Sequence, residues 1–242
     1  MTEKLDILAF GAHPDDVEIG AAGTLARAAK EGRATGIITL TRGEMASRGT
    51  VGERAVEFAA AASILGCAHH QMLSLPDGAL AVDEASKDAV IREIREHRPT
   101  VVLLPWEEDR HPDHYATSRI VQDAAFLAGL RKRDTGQEPW KPAAIVFYMA
   151  AWEFTPSFIV DVSDFVDVKR RALEAYGTQL HTAAKPEGQP PTFVSSQHYR
   201  DMLNARMAHF GHLIGRSHGE PFLFKGLLEV GDLVSAFGSR VY

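Results

Sequence analysis

The sequence predicts a three-layer α/β fold with a mostly parallel central sheet, on three observations. Short apolar runs alternate with longer amphipathic stretches along the chain. That alternation builds right-handed strand–helix–strand units, whose strands pair in parallel. With 242 residues, 45% of them hydrophobic, the chain can bury such a sheet between two helical layers. The expectation is one domain over residues 1–242, of the Rossmann-like kind.

The elements follow in order. Leu5–Phe10 is a continuous apolar run, as a strand buried on both faces requires. Val17–Lys30 has helical patterning and stops at Gly32. Ala34–Leu40 is a second buried strand, and Glu53–Leu65 an alanine-rich helix. Gln71–Leu75 is a short strand closed by the turn signal Pro76-Asp77-Gly78. Lys87–His97 carries Val90, Ile91 and Ile94 on one helical face and stops before Pro99. Thr100–Leu104 is a fourth strand, Tyr115–Leu130 a helix, and Ala144–Met149 and Ser157–Val160 later strands. Asp164–Gln179 reads as a helix mixing charged and apolar faces. Thr182–Ser196 holds Pro186, Pro190 and Pro191, so neither a helix nor a central strand fits; it reads as a loop over the site or at a subunit contact, or equally as a plain surface excursion.

Composition excludes several classes. A net charge of −6, with dispersed cations, leaves no footprint for nucleic acid or an anionic membrane. The single cysteine, Cys67, forms no intrachain disulfide and sits among small apolar residues, as a buried inert thiol does. No run approaches the ~20 apolar residues of a membrane span. The chain enters its first strand without a signal-peptide pattern, so a cytoplasmic protein is expected.

Two tetrads carry the chemistry. His13-Pro14-Asp15-Asp16 follows the first strand and precedes a helix. His111-Pro112-Asp113-His114 stands in the same context after the fourth strand. Strand-to-helix junctions at the carboxyl edge of a parallel sheet are where such folds bind ligands. One tetrad alone would read as a helix cap; two of one type suit a zinc ion held by three protein ligands with water in the fourth position. His13 and Asp16, three residues apart, can face one ion, as can His111 and His114. Asp15 points elsewhere, toward the water. Spacing divides the roles no further.

At these residues the sequence resembles the LmbE-like (PIG-L) zinc N-deacetylases, through Gly11-Ala12-His13-Pro14-Asp15-Asp16-Val17-Glu18-Ile19-Gly20 and Asp109-Arg110-His111-Pro112-Asp113-His114. Leu5–Phe10, Gly49–Arg54, Leu75-Pro76-Asp77 and Phe158–Phe165 extend the likeness toward deacetylases of N-acetylglucosaminyl-malate in bacillithiol biosynthesis. The resemblance implies one zinc per chain, or another divalent metal, held by His13, Asp16 and His114. It implies Asp15 as general base, His111 as oxyanion stabiliser or acid, and Asp113 as the carboxylate that keeps His111 protonated. Arg54 and Arg110 match positions near the polar end of the substrate, and Gln197 and Tyr199 fall in a substrate-side segment. A small sugar substrate and a homo-oligomer, a hexamer in form, are implied too. The sequence departs from the pattern at Thr41–Arg48, at Gly78-Ala79 and in the proline-rich segment. The same chemistry suits another N-acetylglucosamine conjugate: an inositol glycoside, a chitin fragment or a glycolipid. A nucleotide-binding module is disfavoured, because carboxylates stand where a Gly-x-Gly-x-x-Gly turn would cradle pyrophosphate.

Other histidines read as structural. His69 and His70 are adjacent, and neighbours in an extended chain point apart, so they read as a surface or helix-end pair. His209, His212 and His218 lack a carboxylate at matching spacing. Trp106 reads evenly as pocket wall or sheet cover, while Trp152 and Phe154 read as packing.

Overall fold

The computed structural model describes residues 4–180 and 190–237. A seven-stranded sheet runs in the order β3-β2-β1-β4-β5-β7-β6. Its strands are β1 (Ile7–Gly11), β2 (Thr35–Thr39), β3 (His69–Met72), β4 (Val101–Pro105), β5 (Ala144–Tyr148), β6 (Phe158–Asp161) and β7 (Gly219–Leu223). The first five strands pair in parallel, whereas β7 runs antiparallel to both β5 and β6. The helices are α1 (Asp16–Lys30), α2 (Val51–Leu65), α3 (Glu84–His97), α4 (Pro112–Leu127), α5 (Val166–Glu174), α6 (Gln197–Leu213) and α7 (Leu233–Phe237). None among the described residues is long and apolar enough to cross a membrane.

Alternation along the central strands separates two cores. Leu8 and Phe10 of β1 join Ile38, Val90, Ile94, Ile120 and Val121 beneath α3 and α4. Ala9 between them faces Val17, Leu25, Phe58 and Tyr176 beneath α1, α2 and α5. Local chemistry sets the helix ends. Thr50 and Glu53 form a reciprocal capping box on α2, and Gly66 closes that helix in the left-handed conformation. Asp83 caps α3 through Ser86 N–H.

Three differences from the sequence expectation have physical causes. The third strand lies at His69–Met72 rather than Gln71–Leu75, because pairing with β2 starts at Gly36–His69; Leu73 and Leu75 only trail on through bonds to the Thr39 and Leu40 carbonyls. The helix expected over Asp164–Gln179 is a short 3₁₀ turn followed by α5, which ends where Tyr176 enters the core. The strand β7 has no counterpart in the sequence expectation. Its Glu220 and Pro221 argue against a strand, but Glu220 is satisfied by Lys169 Nζ at 2.6 Å and by Gly23 N–H and Thr24 N–H, while the ladder to β5 runs only through Phe222 and Leu223.

One close approach seats α1 on the sheet. Buried Tyr148, whose hydroxyl donates to the Phe10 carbonyl at 3.0 Å, packs against Gly20. A Cβ at Gly20 would stand 2.3 Å from Tyr148 Cδ2. Gly20→Ala is therefore expected to destabilise the fold by about 1–3 kcal/mol through overpacking. A lower urea midpoint at unchanged slope is the expected reading; an unchanged midpoint would mean that α1 does not depend on this contact.

Candidate active site

The first tetrad bridges β1 and α1, and its geometry is not that of a cap. Asp15 occupies the position before the helix at φ 111°, ψ −23°, with no side-chain bond to the helix. A positive φ at a residue with a Cβ costs on the order of 1–3 kcal/mol and persists only where the surroundings hold it. Here Arg54 of α2 holds it. Its Nη2 donates to the Pro14 carbonyl at 2.7 Å and its Nη1 to the Gly43 carbonyl at 3.3 Å. Gly43, itself at φ 67°, admits that guanidinium: a Cβ there would lie 2.2 Å from Nη1.

Because β1 and β4 are neighbours, the two tetrads converge at the carboxyl edge of the sheet. Asp16 joins them. Its Oδ2 accepts from the His13 backbone N–H at 2.8 Å and lies 3.4 Å from His13 Nδ1, while its Oδ1 lies 3.0 Å from His114 Nε2. Each imidazole is oriented through its far nitrogen. His13 Nε2 meets Asp77 Oδ1 at 3.0 Å and Asp113 Oδ2 at 3.2 Å. His114 Nδ1 meets Asp109 Oδ1 at 3.0 Å, and Asp109 Oδ2 is anchored by Ala151 N–H. Carboxylates behind two imidazoles, with the inner nitrogens sharing a third carboxylate, are the usual outer shell of a metal site. The separations approach the ~3.3 Å between neighbouring ligands of a tetrahedral zinc. His111 also lies close, with one donor atom within 4.8 Å of those of His13 and His114.

The charges tell the same story. Burial pushes Asp15 up to about 7, aided by Asp16 and opposed by Arg54, whose Nη2 is 4.0 Å away. Burial acts the same way on Asp16, but His114 and His13 overcome it and hold this carboxyl well below its usual range. Burial alone would lower His114, yet Asp16 and Asp109 raise it to about 9. His13 is likewise raised, against its burial, chiefly by Asp16. The carboxylates thus draw positive charge onto the ligand atoms, and a divalent cation between neutral imidazoles supplies the same charge. The donor set fits such an ion. His111 departs from expectation. Burial, then its cationic neighbours, lowers its pKa, and its Nδ1 accepts from Asp113 N–H at 3.2 Å. It is a neutral imidazole whose Nε2 carries the proton.

These residues line a cavity of about 260 Å³, the scale of a small-molecule site, with Ile19, Met45, Arg110, Gln179, Val194 and Tyr199 at its walls. Three sequence expectations change, and the open alternative for Trp106 is decided. The Asp113 carboxylate faces His13 and the Gly78 and Leu80 N–H groups, not His111. Arg54 lines the cavity but is spent on backbone carbonyls. Gln197 is not at the cavity; its amide binds Asp201 on an exposed turn of α6. Trp106 packs on Phe147 and Phe154 away from the pocket. Arg110 and Tyr199 do line the cavity, and Phe193 stacks between them. Of the proline-rich segment, 181–189 lie outside the described residues, and Val194 reaches the pocket wall. Asp77 and Asp109 join the site without having been expected there, although each sits in a motif already singled out; Gln179 offered no signal. Cys67, half-buried and pushed up to about 12 by burial, is inert as expected.

The chain is similar to known proteins in sequence and, separately, in fold. The profile of the PIG-L family, described as GlcNAc-PI de-N-acetylase, matches residues 8–125. Diacetylchitobiose deacetylase of Thermococcus kodakarensis is 30% identical over 191 residues, covering 72% of this chain and 70% of the relative. The 1D-myo-inositol 2-acetamido-2-deoxy-α-D-glucopyranoside deacetylase of Rhodococcus erythropolis is 30% identical, covering 73% of this chain and 82% of its own. Among solved structures, the conserved protein TT1542 of Thermus thermophilus superposes with a TM-score of 0.85 at 40% identity, covering 94% of this chain and 98% of that one. A likeness in fold alone extends to GalB, a 4-carboxy-2-hydroxymuconate hydratase of Pseudomonas putida, at a TM-score of 0.75 and 19% identity over 96% and 100% of the two chains.

The site also holds a second raised acid. Glu18 is fully buried; its Oε1 accepts from Tyr176 Oη at 2.8 Å and its Oε2 has no partner. Burial pushes its carboxyl up to about 7. The folded state then holds this proton more tightly than the unfolded chain, so stability falls as pH rises from about 4.5 to 7. Glu18→Gln is expected to be more stable than the parent near pH 8, by on the order of 1–3 kcal/mol, with the gap closing below about pH 5. Denaturant melts across that range check it; a gap that does not change with pH would contradict it.

Proposed function

Because this chain belongs to the PIG-L family, whose matched relatives are deacetylases, we propose that it is a zinc-dependent N-deacetylase of an N-acetylglucosamine conjugate. The observation that carries this reading is the convergence of His13, Asp16 and His114 beside a buried carboxyl held near neutrality. His13, Asp16 and His114 hold the metal, with Asp77 and Asp113 orienting the first imidazole and Asp109 the last. A bound zinc ion lowers the pKa of water and polarises the acetyl carbonyl.

The protein's own groups do the rest. Asp15, which burial holds at about 7 and whose place is fixed by its strained backbone, takes the proton from the attacking water in its ionised form. His111 donates its Nε2–H to the oxygen on which negative charge develops. Once the carbon–nitrogen bond breaks, the proton collected by Asp15 passes to the leaving amine and acetate departs. Tyr199 walls the sugar with Phe193 packed edge-on against it, and Arg110 stands at the cavity without an ion pair among the described residues.

For the substrate we take N-acetylglucosaminyl-L-malate, yielding glucosaminyl-malate and acetate in bacillithiol biosynthesis. Arg110, in no ion pair among the described residues, supports an anionic aglycone, since a guanidinium binds a carboxylate bidentately. The named substrates of the relatives favour two other conjugates, diacetylchitobiose and the inositol glycoside. One continuous sheet supports a single deacetylase domain over residues 1–242. Exposed Leu227, Leu228, Val230, Leu233, Val234 and Phe237 support a homo-oligomer, for which we take a hexamer; the cytoplasm is the compartment we propose.

Acetate release from the malyl, inositol and chitobiose substrates tests the reading. The malyl conjugate is expected to give the highest kcat/KM, with activity lost on full chelation and restored by zinc. Arg110→Ala should raise KM for that conjugate roughly 10-fold or more. Activity that survives metal removal contradicts the chemistry; a preference for an uncharged aglycone contradicts only the substrate.

Arg54 makes a separate expectation. It opposes the upward shift of Asp15, so Arg54→Met raises the Asp15 pKa further and moves the acid limb of the kcat profile to higher pH. Arg54→Lys, which keeps the charge, should move it less. A raised KM with an unmoved limb would mean that Arg54 binds substrate instead.

A further inference from the structure

A second group of imidazoles and a carboxylate lies at the other end of the sheet. The two tetrads follow the carboxyl ends of β1 and β4, whereas His69 opens β3 at its amino end. Glu93 and His97 project from one face of α3, four residues apart. His97 Nε2 stands 3.6 Å from Glu93 Oε2, and the His69 and His97 rings lie 4.1 Å apart. One donor atom from each of the three falls within 4.8 Å of the others. Alternation along β3 sends His70 to the opposite face, onto Phe58, so His69 is not half of a surface pair.

Among the described residues, two imidazole nitrogens of this group find no partner. His97 is 2% exposed, and its Nδ1 is buried without a hydrogen-bond partner. The Nε2 of His69 is in the same state. The contact between Glu93 and His97 is too long for a hydrogen bond. The other oxygen of Glu93 is fixed by Gln71 Nε2 at 3.1 Å, which aims the carboxylate as an outer-shell partner does. A buried imidazole nitrogen that finds no donor or acceptor calls for an explanation, and a cation bound by that nitrogen supplies one.

We propose that His69, Glu93 and His97 form a second metal site, selective for zinc-class divalent ions, that ties the outer strand β3 to α3. Two imidazole nitrogens and one carboxylate oxygen match borderline ions such as zinc, whereas calcium and magnesium prefer all-oxygen cages. Among the described residues, β3 is paired on one side only, with β2. An ion joining it to α3 stabilises the native state by mass action, and it does so independently of catalysis.

The test uses full-length, chelator-stripped protein and zinc chloride as the probe. In an Asp16→Ala/His114→Ala background, which removes donors of the first site, one zinc equivalent is expected to remain, with a Tm that rises on zinc addition. Adding His69→Gln or Glu93→Gln should abolish both the equivalent and the rise. Both substitutions fall at partly exposed positions and spare buried His97, so folding is kept, and circular dichroism checks it. No zinc uptake in the double variant overturns the proposal. So does uptake that persists undiminished once His69 or Glu93 is replaced. Neither result bears on whether the first site hydrolyses an amide.

Discussion

The carboxylate of Asp16 is the constraint on which the rest of the site depends. It faces His13 on one oxygen and His114 on the other, and so brings together two motifs that lie about a hundred residues apart in the chain. It can do this because β1 and β4 are adjacent in the sheet and their carboxyl ends emerge side by side. Asp16 is also the first residue of α1, so the seating of that helix on the sheet fixes where the carboxylate stands. The Tyr148–Gly20 contact, remote from the chemistry, therefore belongs to the site as much as its polar residues do.

Around that centre, unfavourable features are concentrated rather than spread. Asp15 adopts a strained backbone, Glu18 has a buried oxygen without a partner, and several carboxylates crowd one cavity. Each costs stability, and the two cores on either side of the sheet offset it. The arrangement separates two adjacent aspartates into different roles. Asp16, between imidazoles, stays ionised; Asp15, where burial outweighs Arg54 and the two imidazoles, titrates near neutrality. Neighbouring acids pushed apart in this way are how a site obtains a charged ligand and a working base from one residue type.

Much of the parallel half of the sheet was legible, because its strands are continuous apolar runs and its helices show a clear apolar face. The antiparallel half was not. β7 carries Glu220 and Pro221, and its strand character comes from its neighbours and from buried Lys169 rather than from its own residues. Within the site, the two tetrads and their context were legible from residue type and position. Their pairings were not. Nothing in the spacing of His111 and Asp113 says that the carboxylate turns away toward His13, or that Asp109 stands behind His114. Arg54 and Arg110 look alike in sequence and both reach the cavity; only tertiary contacts separate the one that holds two backbone carbonyls from the one that lies over the Phe193 ring.

The central claim is that His13, Asp16 and His114 together hold one metal ion beside Asp15. Anomalous diffraction at the zinc edge, from crystals of metal-loaded protein, tests it most directly. The account predicts a strong peak within about 2.0–2.3 Å of one donor atom from each of these three residues. A peak held instead by His13, Asp77 and Asp113, whose donor atoms also cluster within 4.8 Å, or no peak at this edge of the sheet, would contradict it.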